Sequence, residues 1–267
     1  MLSHRTYSQP PYRVTLLHGG PGAPGHMAPV ARELAHDCGV LEPLQTAASL
    51  EGQVSELRDV LAEHAATPVI LIGSSWGAML GFILTARHPD LVRKLVLVGS
   101  GVFEQNYAPL IEQTRASRLS DDDKRAIERA QSILQDPDAT NKNEAMAEVG
   151  KIFTRIDACD PITLDTETIE VQYETFRSVW SDAVAMRSSG ELLRLGEGIK
   201  CPVAAIHGVY DPHPADGVRE PLSRVLKDFR FLLLGRCGHL PWIERHAMTE
   251  FYRILRRQID CPGSSGL

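Results

Sequence analysis

The sequence predicts an α/β fold in which a mostly parallel sheet is covered by helices on both faces and interrupted by a helical insertion. Three observations predict it. Short, nearly continuous apolar runs alternate with longer segments of helical periodicity, as in parallel sheets buried on both faces. The alternation stops after about residue 101 and resumes near residue 196. The 267 residues, 43% of them hydrophobic, are enough to bury a sizeable core.

The first part of the sheet is predicted from four apolar runs. Residues 14–17 form a short strand that a glycine-rich run closes, and residues 40–41 form a second short strand. Residues 69–72 and 95–98 are further apolar runs, and each is followed by glycine. Near-continuous runs of this length are typical of buried parallel strands.

Two helices are predicted between these strands. The first is indicated by leucine and valine at helical spacing on one face, namely at Leu50, Val54, Leu57 and Leu61. The second spans residues 76–87 and is expected to end before Pro89.

Residues 102–195 contain no strand-like run and carry helical periodicity with many charges. Ser120 followed by Asp123 predicts a helix start, because the two side chains can cap each other's backbone N–H groups. The segment is therefore predicted to be a helical insertion of roughly 90 residues, which is near the small end of domain sizes.

The alternation then resumes. Strands are predicted at residues 203–206 and 231–234, and a final amphipathic helix at about 243–255. About six strands are expected in all. The predicted organisation is a sheet domain in two parts, residues 1–101 and 196–267, with the helical insertion of residues 102–195 between them.

Charge and cysteine usage exclude several classes of protein. The formal net charge is −6, and the nearest approach to a basic cluster, Arg253 with Arg256 and Arg257, is interpreted as a solvated helix face. A nucleic-acid partner is therefore not expected. The five cysteines are odd in number and form no CxxC pair, so neither a disulfide framework nor a structural zinc site is predicted.

No segment approaches the roughly 20 apolar residues of a membrane span, and no signal-peptide pattern opens the chain. We therefore expect a cytoplasmic location and no membrane partner. No cofactor is predicted. The glycine-rich run at 18–22 fits neither of the phosphate-binding patterns G-x-G-x-x-G and G-x-x-x-x-G-K-[ST]. The oligomeric state stays open.

Residues 73–77, Gly-Ser-Ser-Trp-Gly, fit the pattern G-x-S-x-G with Ser75 at its centre. The motif follows a predicted strand and precedes a predicted helix, which is the context in which such a serine is a nucleophile. A sharp turn of this kind needs small residues on both sides and lifts the hydroxyl clear of the sheet. Ser74 does not occupy the central position and is not a candidate.

A nucleophilic serine needs a base and a group that orients the base. Asp211 follows the strand 203–206, and His239 follows the strand 231–234. All three side chains are therefore expected at the carboxyl edge of one parallel sheet. The local alternatives to His239 as the base are His207, His213 and His246. A metal site built from Cys237 and His239 lacks further ligands at a recognisable spacing and is not predicted.

The run His-Gly-Gly-Pro-Gly at residues 18–22 comes directly after the first strand. Its backbone amides are expected near Ser75, where they could stabilise an oxyanion. We predict that Gly20 supplies one amide donor and Trp76 the other.

These pieces together resemble the α/β-hydrolase superfamily, and the pairing of His-Gly-Gly-Pro-Gly with Gly-x-Ser-Trp-Gly resembles its proline iminopeptidase group. The resemblance covers about residues 12–101 and 196–258. It implies Ser75 as nucleophile, His239 as base, Asp211 as its partner, Gly20 and Trp76 as oxyanion donors, and the insertion as a helical cap. The antiparallel hairpin usual before the first parallel strand is expected to be missing or vestigial here.

The sequence thus predicts a serine hydrolase that cleaves a small ester or amide through an acyl-enzyme. Among the possible reactions, hydrolysis of small esters ranks first, hydrolysis of peptides or amides with a free amino terminus second, and carbon–carbon cleavage third. The alternatives are a proline iminopeptidase-like aminopeptidase and a non-catalytic ligand-binding member of the same fold. Iminopeptidases recognise the amino terminus through acidic residues of the cap, and no motif assigns that role among Glu104, Glu112, Glu148, Glu170 and Glu174.

Overall fold

A computed structural model describes residues 3–163 and 171–259. Seven strands form one sheet in the order β1-β3-β2-β4-β5-β6-β7. The strands are β1 His4–Tyr7, β2 Tyr12–Leu17, β3 Gly39–Pro43, β4 Val69–Ser74, β5 Val92–Val98, β6 Val203–Gly208 and β7 Phe229–Leu234.

Strands β2 to β7 are parallel, which confirms the predicted sheet, and each predicted strand lies within an observed one. The seventh strand, β1, pairs antiparallel with β3 at the edge of the sheet and was not predicted. It is short, and its partly exposed residues lack a clear apolar alternation. The expected antiparallel hairpin is thus represented in the described residues by this one strand.

Ten α-helices accompany the strands in the described part of the chain. They are α1 Ala28–Leu34, α2 Leu50–His64, α3 Trp76–Arg87, α4 Ala108–Arg118, α5 Asp121–Gln135, α6 Lys142–Ile156, α7 Tyr173–Ser188, α8 Glu191–Arg194, α9 Asp216–Val225 and α10 Met248–Gln258. None of them combines the length and the apolar character that a membrane span needs.

The core has two layers, one on each face of the sheet. Alternate residues of the strands point to opposite faces, so that Ile70 and Ile72 belong to one layer while Leu71 belongs to the other. Helices α1 and α10 cover the first face, and helices α2, α3, α7 and α9 cover the second. This arrangement explains why the strands read as continuous apolar runs.

The strand register places the carboxyl ends of the central strands side by side. Leu17 pairs with Gly73, Ser74 pairs with Val98, and Gly208 pairs with Leu234. The strand order reverses between β2 and β4, because the chain leaves β2 for β3 on one side and returns to β4 on the other. Open α/β sheets bind ligands in the crevice at such a reversal.

Helices α4 to α8 lie between β5 and β6, where the helical insertion was predicted. Ser120 caps α5 in a reciprocal capping box with Asp123, as the sequence indicates. The insertion is tied to the sheet domain, because the Leu50 N–H at the start of α2 donates to Asp182 of α7 at 3.1 Å. The boundaries of the three predicted segments stay a prediction.

The last helix begins at Met248, five residues later than predicted. Residues Pro241–Ile243 form a 3₁₀ turn, and Glu244 has an extended backbone that bridges to Pro161 of the insertion. The apolar side chains of Trp242 and Ile243 are buried, although the two residues do not belong to the α-helix. Their spacing therefore imitates the start of a helix.

Candidate active site

Ser75 lies on the sharp turn between β4 and α3, with a positive φ of 52° and a ψ of −113°. A non-glycine residue is uncommon there, and such strain clusters at functional sites. The side chain of Ser74 is fully buried, whereas Ser75 is partly exposed and lines a cavity. The structure therefore supports the choice of Ser75 over Ser74.

The two motif glycines are required by close backbone contacts. A Cβ atom on Gly73 would lie 2.1 Å from the carbonyl oxygen of Gly77, and one on Gly77 would lie 2.4 Å from that of Leu17. Any side chain at either position would force strand β4, helix α3 and strand β2 apart. The tight approach brings the start of α3 against the end of β2.

The loop after β2 lies directly against Ser75. A Cβ atom on Gly19 would be 3.2 Å from the Cβ atom of Ser75, and Gly20, at φ 56°, lines the same cavity. Trp76 is the first residue of α3, so its N–H has no acceptor within the helix. These positions suit Gly20 and Trp76 as oxyanion donors, and that assignment stays a prediction.

Two side chains that the sequence did not single out support this loop and the turn. His26 accepts the Gly19 N–H through Nδ1 at 3.3 Å, and burial lowers the pKa of His26 to about 3, with the neighbouring histidines adding to the effect. Gln53 of α2 accepts the indole N–H of Trp76 at 2.8 Å. Gln53 is fully buried on the apolar face of α2. A glutamine three residues after Leu50, on the face that the leucines define, is the sequence signal that could have identified it.

Asp211 and His239 meet at the carboxyl edge of the sheet. Nδ1 of His239 donates to Oδ2 of Asp211 at 2.8 Å. The Asp211 carboxylate has no solvent exposure. Since an ionised carboxylate only accepts hydrogen bonds, the neutral His239 carries its proton on Nδ1 and leaves Nε2 as a lone pair. That tautomer is the one a general base for a serine needs.

The pKa values of this pair move apart. Burial alone would lower the pKa of His239, but the Asp211 charge and hydrogen bond outweigh burial and raise it. Burial would likewise raise the pKa of Asp211, but the surrounding histidines hold it well below its ordinary value. Asp211 is therefore anionic and able to stabilise the His239 cation.

The alternative histidines occupy other positions. His207 lies inside β6 and donates through Nε2 to the carbonyl oxygen of His213 at 2.8 Å. His213 donates through Nδ1 to Oδ1 of Asp211 at 2.7 Å, so it shares the carboxylate with His239. His246 is paired with Asp160 at 3.0 Å. Of these four histidines, His239 alone lines the cavity with Ser75.

Asp211, His213 and His239 also place candidate metal-ligand atoms within 4.8 Å of one another. Both Nδ1 atoms carry the protons that the carboxylate accepts, so a metal ion would have to displace both. Burial raises the pKa of the Cys237 thiol, which keeps it protonated and a poor ligand. The expectation that no metal is bound stays a prediction.

The loop that carries His239 is fastened to the helical insertion. The His239 N–H donates to the carbonyl oxygen of Asp157 at 3.0 Å. The fully buried carboxylate of Glu244 accepts the N–H groups of Gly238, Cys159 and Asp160 at 2.7 to 2.8 Å. Sequence reasoning missed Glu244, because its role depends on a contact with a segment 85 positions away.

The cavity above Ser75 has a volume of about 790 Å³. Its walls are mainly apolar and come from the insertion and from the loop after His239, including Met146, Phe153, Ile162, Phe176, Leu240 and Trp242. Among the described residues, three cationic side chains also line it, Arg115, Lys151 and Arg155, with one acidic side chain, Asp157. The Asp157 carboxylate is held by the Arg115 guanidinium, with Nε 3.0 Å from Oδ1.

Four of the five glutamates considered for recognition of an amino terminus lie outside the cavity lining. Glu104 pairs with Arg224 at 2.6 Å, and Glu174 accepts from Arg177 at 2.8 Å. Neither residue lines the cavity, nor do Glu112 and Glu148. Glu170 lies outside the described residues.

Comparison with known proteins identifies the family to which this fold belongs. A family model described as alpha/beta hydrolase fold matches residues 12–244. A pimeloyl-[acyl-carrier protein] methyl ester esterase of Neisseria meningitidis serogroup C is 26% identical over 205 residues, which are 73% of this chain and 72% of that protein.

Two solved structures share the fold. VinJ superposes with a TM-score of 0.68 at 18% identity, covering 95% of this chain and 93% of its own. A proline iminopeptidase of Mycobacterium smegmatis superposes with a TM-score of 0.60 at 17% identity, covering 95% and 92%. Since the family model spans most of the chain, the protein belongs to the α/β-hydrolase fold family.

Proposed function

We propose that this protein is a serine hydrolase that cleaves a small carboxylic ester through an acyl-enzyme. One observation carries the proposal: Ser75, on a turn with positive φ, lines the same cavity as His239, and His239 is hydrogen-bonded to Asp211. The name of the meningococcal relative specifies a methyl ester, which supports an ester before an amide.

The proposed reaction follows from the tautomer of His239. Ser75 Oγ attacks the ester carbonyl carbon while Nε2 of His239 takes the hydroxyl proton. The resulting oxyanion accepts hydrogen bonds from the N–H groups of Gly20 and Trp76, and preorganised donors of this kind contribute about 3 kcal/mol each. The intermediate collapses, the C–O bond breaks, and the departing alcohol takes the proton from His239. Water then attacks the acyl carbon while His239 takes one of its protons. The bond between the acyl carbon and Ser75 Oγ breaks as His239 returns that proton to Oγ, which releases the acid.

The charges around the cavity favour an ester over a substrate with a free amino terminus. Of the three cations that line the cavity, Arg115 holds the carboxylate of Asp157 and Arg155 is paired with Asp123, so Lys151 is the cation that neither ion pair includes. In the part of the wall that the structure describes, a substrate ammonium group would therefore meet the Lys151 cation, while the one carboxylate there is already bound by Arg115. We accordingly rank an acyl ester first and an iminopeptidase-like substrate second.

The proposal is tested by comparing a series of p-nitrophenyl and methyl esters of increasing acyl length with proline and alanine anilides. Wild-type protein should turn over at least one ester many times per molecule, with kcat/KM well above that for either anilide. Preferred cleavage of an anilide would contradict the esterase proposal and favour an aminopeptidase. A single stoichiometric event without turnover would favour a ligand-binding member of the fold.

We further propose that the substrate is a small molecule and that the protein acts in the cytoplasm without a nucleic-acid partner. Fractionation of cells that express the protein, followed by immunoblotting, tests the location. Recovery in the membrane or secreted fraction would contradict it.

A further inference from the structure

The carboxylate of Asp211 is shared by two imidazole rings. Nδ1 of His239 donates to Oδ2 at 2.8 Å, and Nδ1 of His213 donates to Oδ1 at 2.7 Å. The backbone N–H of His213 donates to the same Oδ1 at 2.9 Å, which closes a tight turn two residues long. Both oxygens of the carboxylate therefore have assigned donors.

His213 is held in place from the other side as well. Its carbonyl oxygen accepts Nε2–H of His207 from strand β6 at 2.8 Å. Its ring lies nearly parallel to the ring of His239, with centroids 4.6 Å apart and an interplanar angle of 27°. His213 is 8% exposed, and the cavity wall includes His239 but not His213. His213 thus contacts the catalytic pair without reaching the substrate.

We propose that His213 is a positioning residue that sets how strongly Asp211 acts on His239, by donating to the second oxygen of the shared carboxylate. The inference rests on the proposed function, in which His239 is the base. A hydrogen bond to Oδ1 stabilises the anion and reduces its affinity for the imidazolium proton of His239. The stacked ring also fixes the plane in which His239 meets the serine.

The charge state of His213 makes this role specific. Burial lowers the pKa of His213 to about 4, although Asp211 opposes the shift. His213 is therefore neutral at the pH of catalysis, and the proton taken from Ser75 is held by His239 alone. Other groups that influence the two rings electrostatically come from separate elements, namely His207, Asp157, Arg115 and His26.

Two substitutions separate the hydrogen bond from the ring. His213→Phe keeps an aromatic ring for stacking and the backbone N–H bond to Oδ1, and removes the side-chain donor. His213→Asn removes the ring and keeps an N–H at the position of Nδ1. If the side-chain donor sets the basicity of Asp211, His213→Phe should raise the pKa of His239 by about one unit, because the carboxylate then attracts the imidazolium proton more strongly. His213→Asn should leave the pKa of His239 near its wild-type value.

The experiment titrates His239 directly by NMR on histidine-labelled protein, with the signal assigned by its loss in His239→Gln. The same variants are assayed for ester hydrolysis from pH 5 to 9. We expect His213→Phe to move both the pKa of His239 and the acidic limb of the pH–rate profile to higher pH. The rate of this variant relative to wild type should therefore be lowest in acid and should recover toward pH 9. Equal loss of rate at every pH, with an unshifted titration in His213→Phe, would overturn the proposal.

The NMR titration does not depend on turnover. A shifted titration in a protein that cleaves no ester would uphold the link between His213 and His239 and reject the proposed function. An unshifted titration in an active esterase would do the reverse. Should His213→Phe fail to fold, His213→Leu replaces it, since leucine is smaller and also lacks the donor.

Discussion

The Nδ1 proton of His239 is committed to Asp211, so Nε2 is the ring atom that remains to take a proton from Ser75. Catalysis then requires His239 to be neutral. Because Asp211 raises the pKa of His239 against the effect of burial, activity should fall in acid with a midpoint above the ordinary value of 6.5. The rate should be constant above that midpoint until another group titrates.

Asp211→Asn should reverse this shift. Without the negative charge, burial remains and the pKa of His239 falls, so the acidic limb moves to lower pH. The rate on the plateau should drop by about 10⁴-fold, as expected when the partner of the base is lost. The measurement is kcat/KM for a short ester between pH 5 and 9. Asp216→Asn, an exposed acid paired with Arg219, is the matched control. An unmoved limb in Asp211→Asn would contradict the assigned pairing.

Much of this site was predictable from residue order alone. Ser75, Asp211 and His239 each follow a strand of a parallel sheet, and parallel strands bring their carboxyl ends to one edge. The hydrogen bond from His213 to Asp211 was not predictable, because it depends on the side-chain rotamers of a turn. His26 and Gln53 likewise act through contacts that no local motif specifies.

The turn that carries Ser75 keeps its shape because two of its neighbours, Gly73 and Gly77, have no side chain. A Cβ atom at position 77 would overlap the Leu17 carbonyl, and backbone cannot move aside as a flexible side chain can. Gly77→Ala should therefore lower the free energy of unfolding by about 2 kcal/mol or more. Urea unfolding followed by circular dichroism measures it.

The matched control for that substitution is Gly150→Ala. Gly150 lies inside helix α6, where an added Cβ atom would enter open space among the described residues, and alanine is the better helix former. The control should gain about 1 kcal/mol of stability. Equal effects of the two substitutions would show that the turn is looser than the structure has it.

Glu244 fastens the histidine loop to the end of α6. Glu244→Ala would leave the N–H groups of Gly238, Cys159 and Asp160 without their buried acceptor. Each unsatisfied group costs about 1–3 kcal/mol unless water reaches it. We expect lower stability and a lower kcat, because the loop that carries His239 loses its anchor.

Glu244→Gln keeps one oxygen and should be milder than Glu244→Ala in both stability and kcat. Glu250→Gln, on the exposed face of α10, is the control and should change neither. Thermal unfolding and steady-state kinetics on the same preparations provide the data. Wild-type kcat in Glu244→Ala would show that the insertion does not help to position His239.

Element boundaries were predicted well where apolar runs are bounded by glycine or proline. The helix at Trp76–Arg87 has the predicted ends, because the turn at Ser75 and the residues before Pro89 fix it. The last helix was placed too early, since Trp242 and Ile243 are buried by tertiary packing in a 3₁₀ turn. Strand β1 was missed because it owes its pairing to β3 rather than to its own pattern.

At the scale of the whole molecule, an acidic protein of net charge −6 has a cavity whose described wall carries Lys151 beside two paired arginines and one paired carboxylate. Composition could not predict this distribution, because it arises from how helices α4 and α6 pack over the sheet edge. Esters whose acyl chain ends in a carboxylate should be cleaved at least as well as those ending in methyl. Those ending in ammonium should be at least about tenfold worse, a difference of about 1.4 kcal/mol.

Lys151→Glu tests the origin of this preference, since Lys151 is exposed at the cavity. The variant should reduce the difference in kcat/KM between esters that end in a carboxylate and esters that end in an ammonium group. Lys124→Glu, on α5 and outside the cavity lining, should leave that difference unchanged. The measurement is the ratio of kcat/KM values at low salt. A ratio that is equal in wild type and both variants would contradict a role for cavity charge.

The central claim is that Ser75 is the nucleophile of an acyl-enzyme. The most direct measurement is labelling with a fluorophosphonate probe, followed by intact mass and peptide mapping of wild type, Ser75→Ala and Ser74→Ala. We predict one added probe per chain on the peptide that contains Ser75, undiminished in Ser74→Ala and absent in Ser75→Ala. Labelling that persists in a folded Ser75→Ala variant, or that maps to another residue, would contradict it.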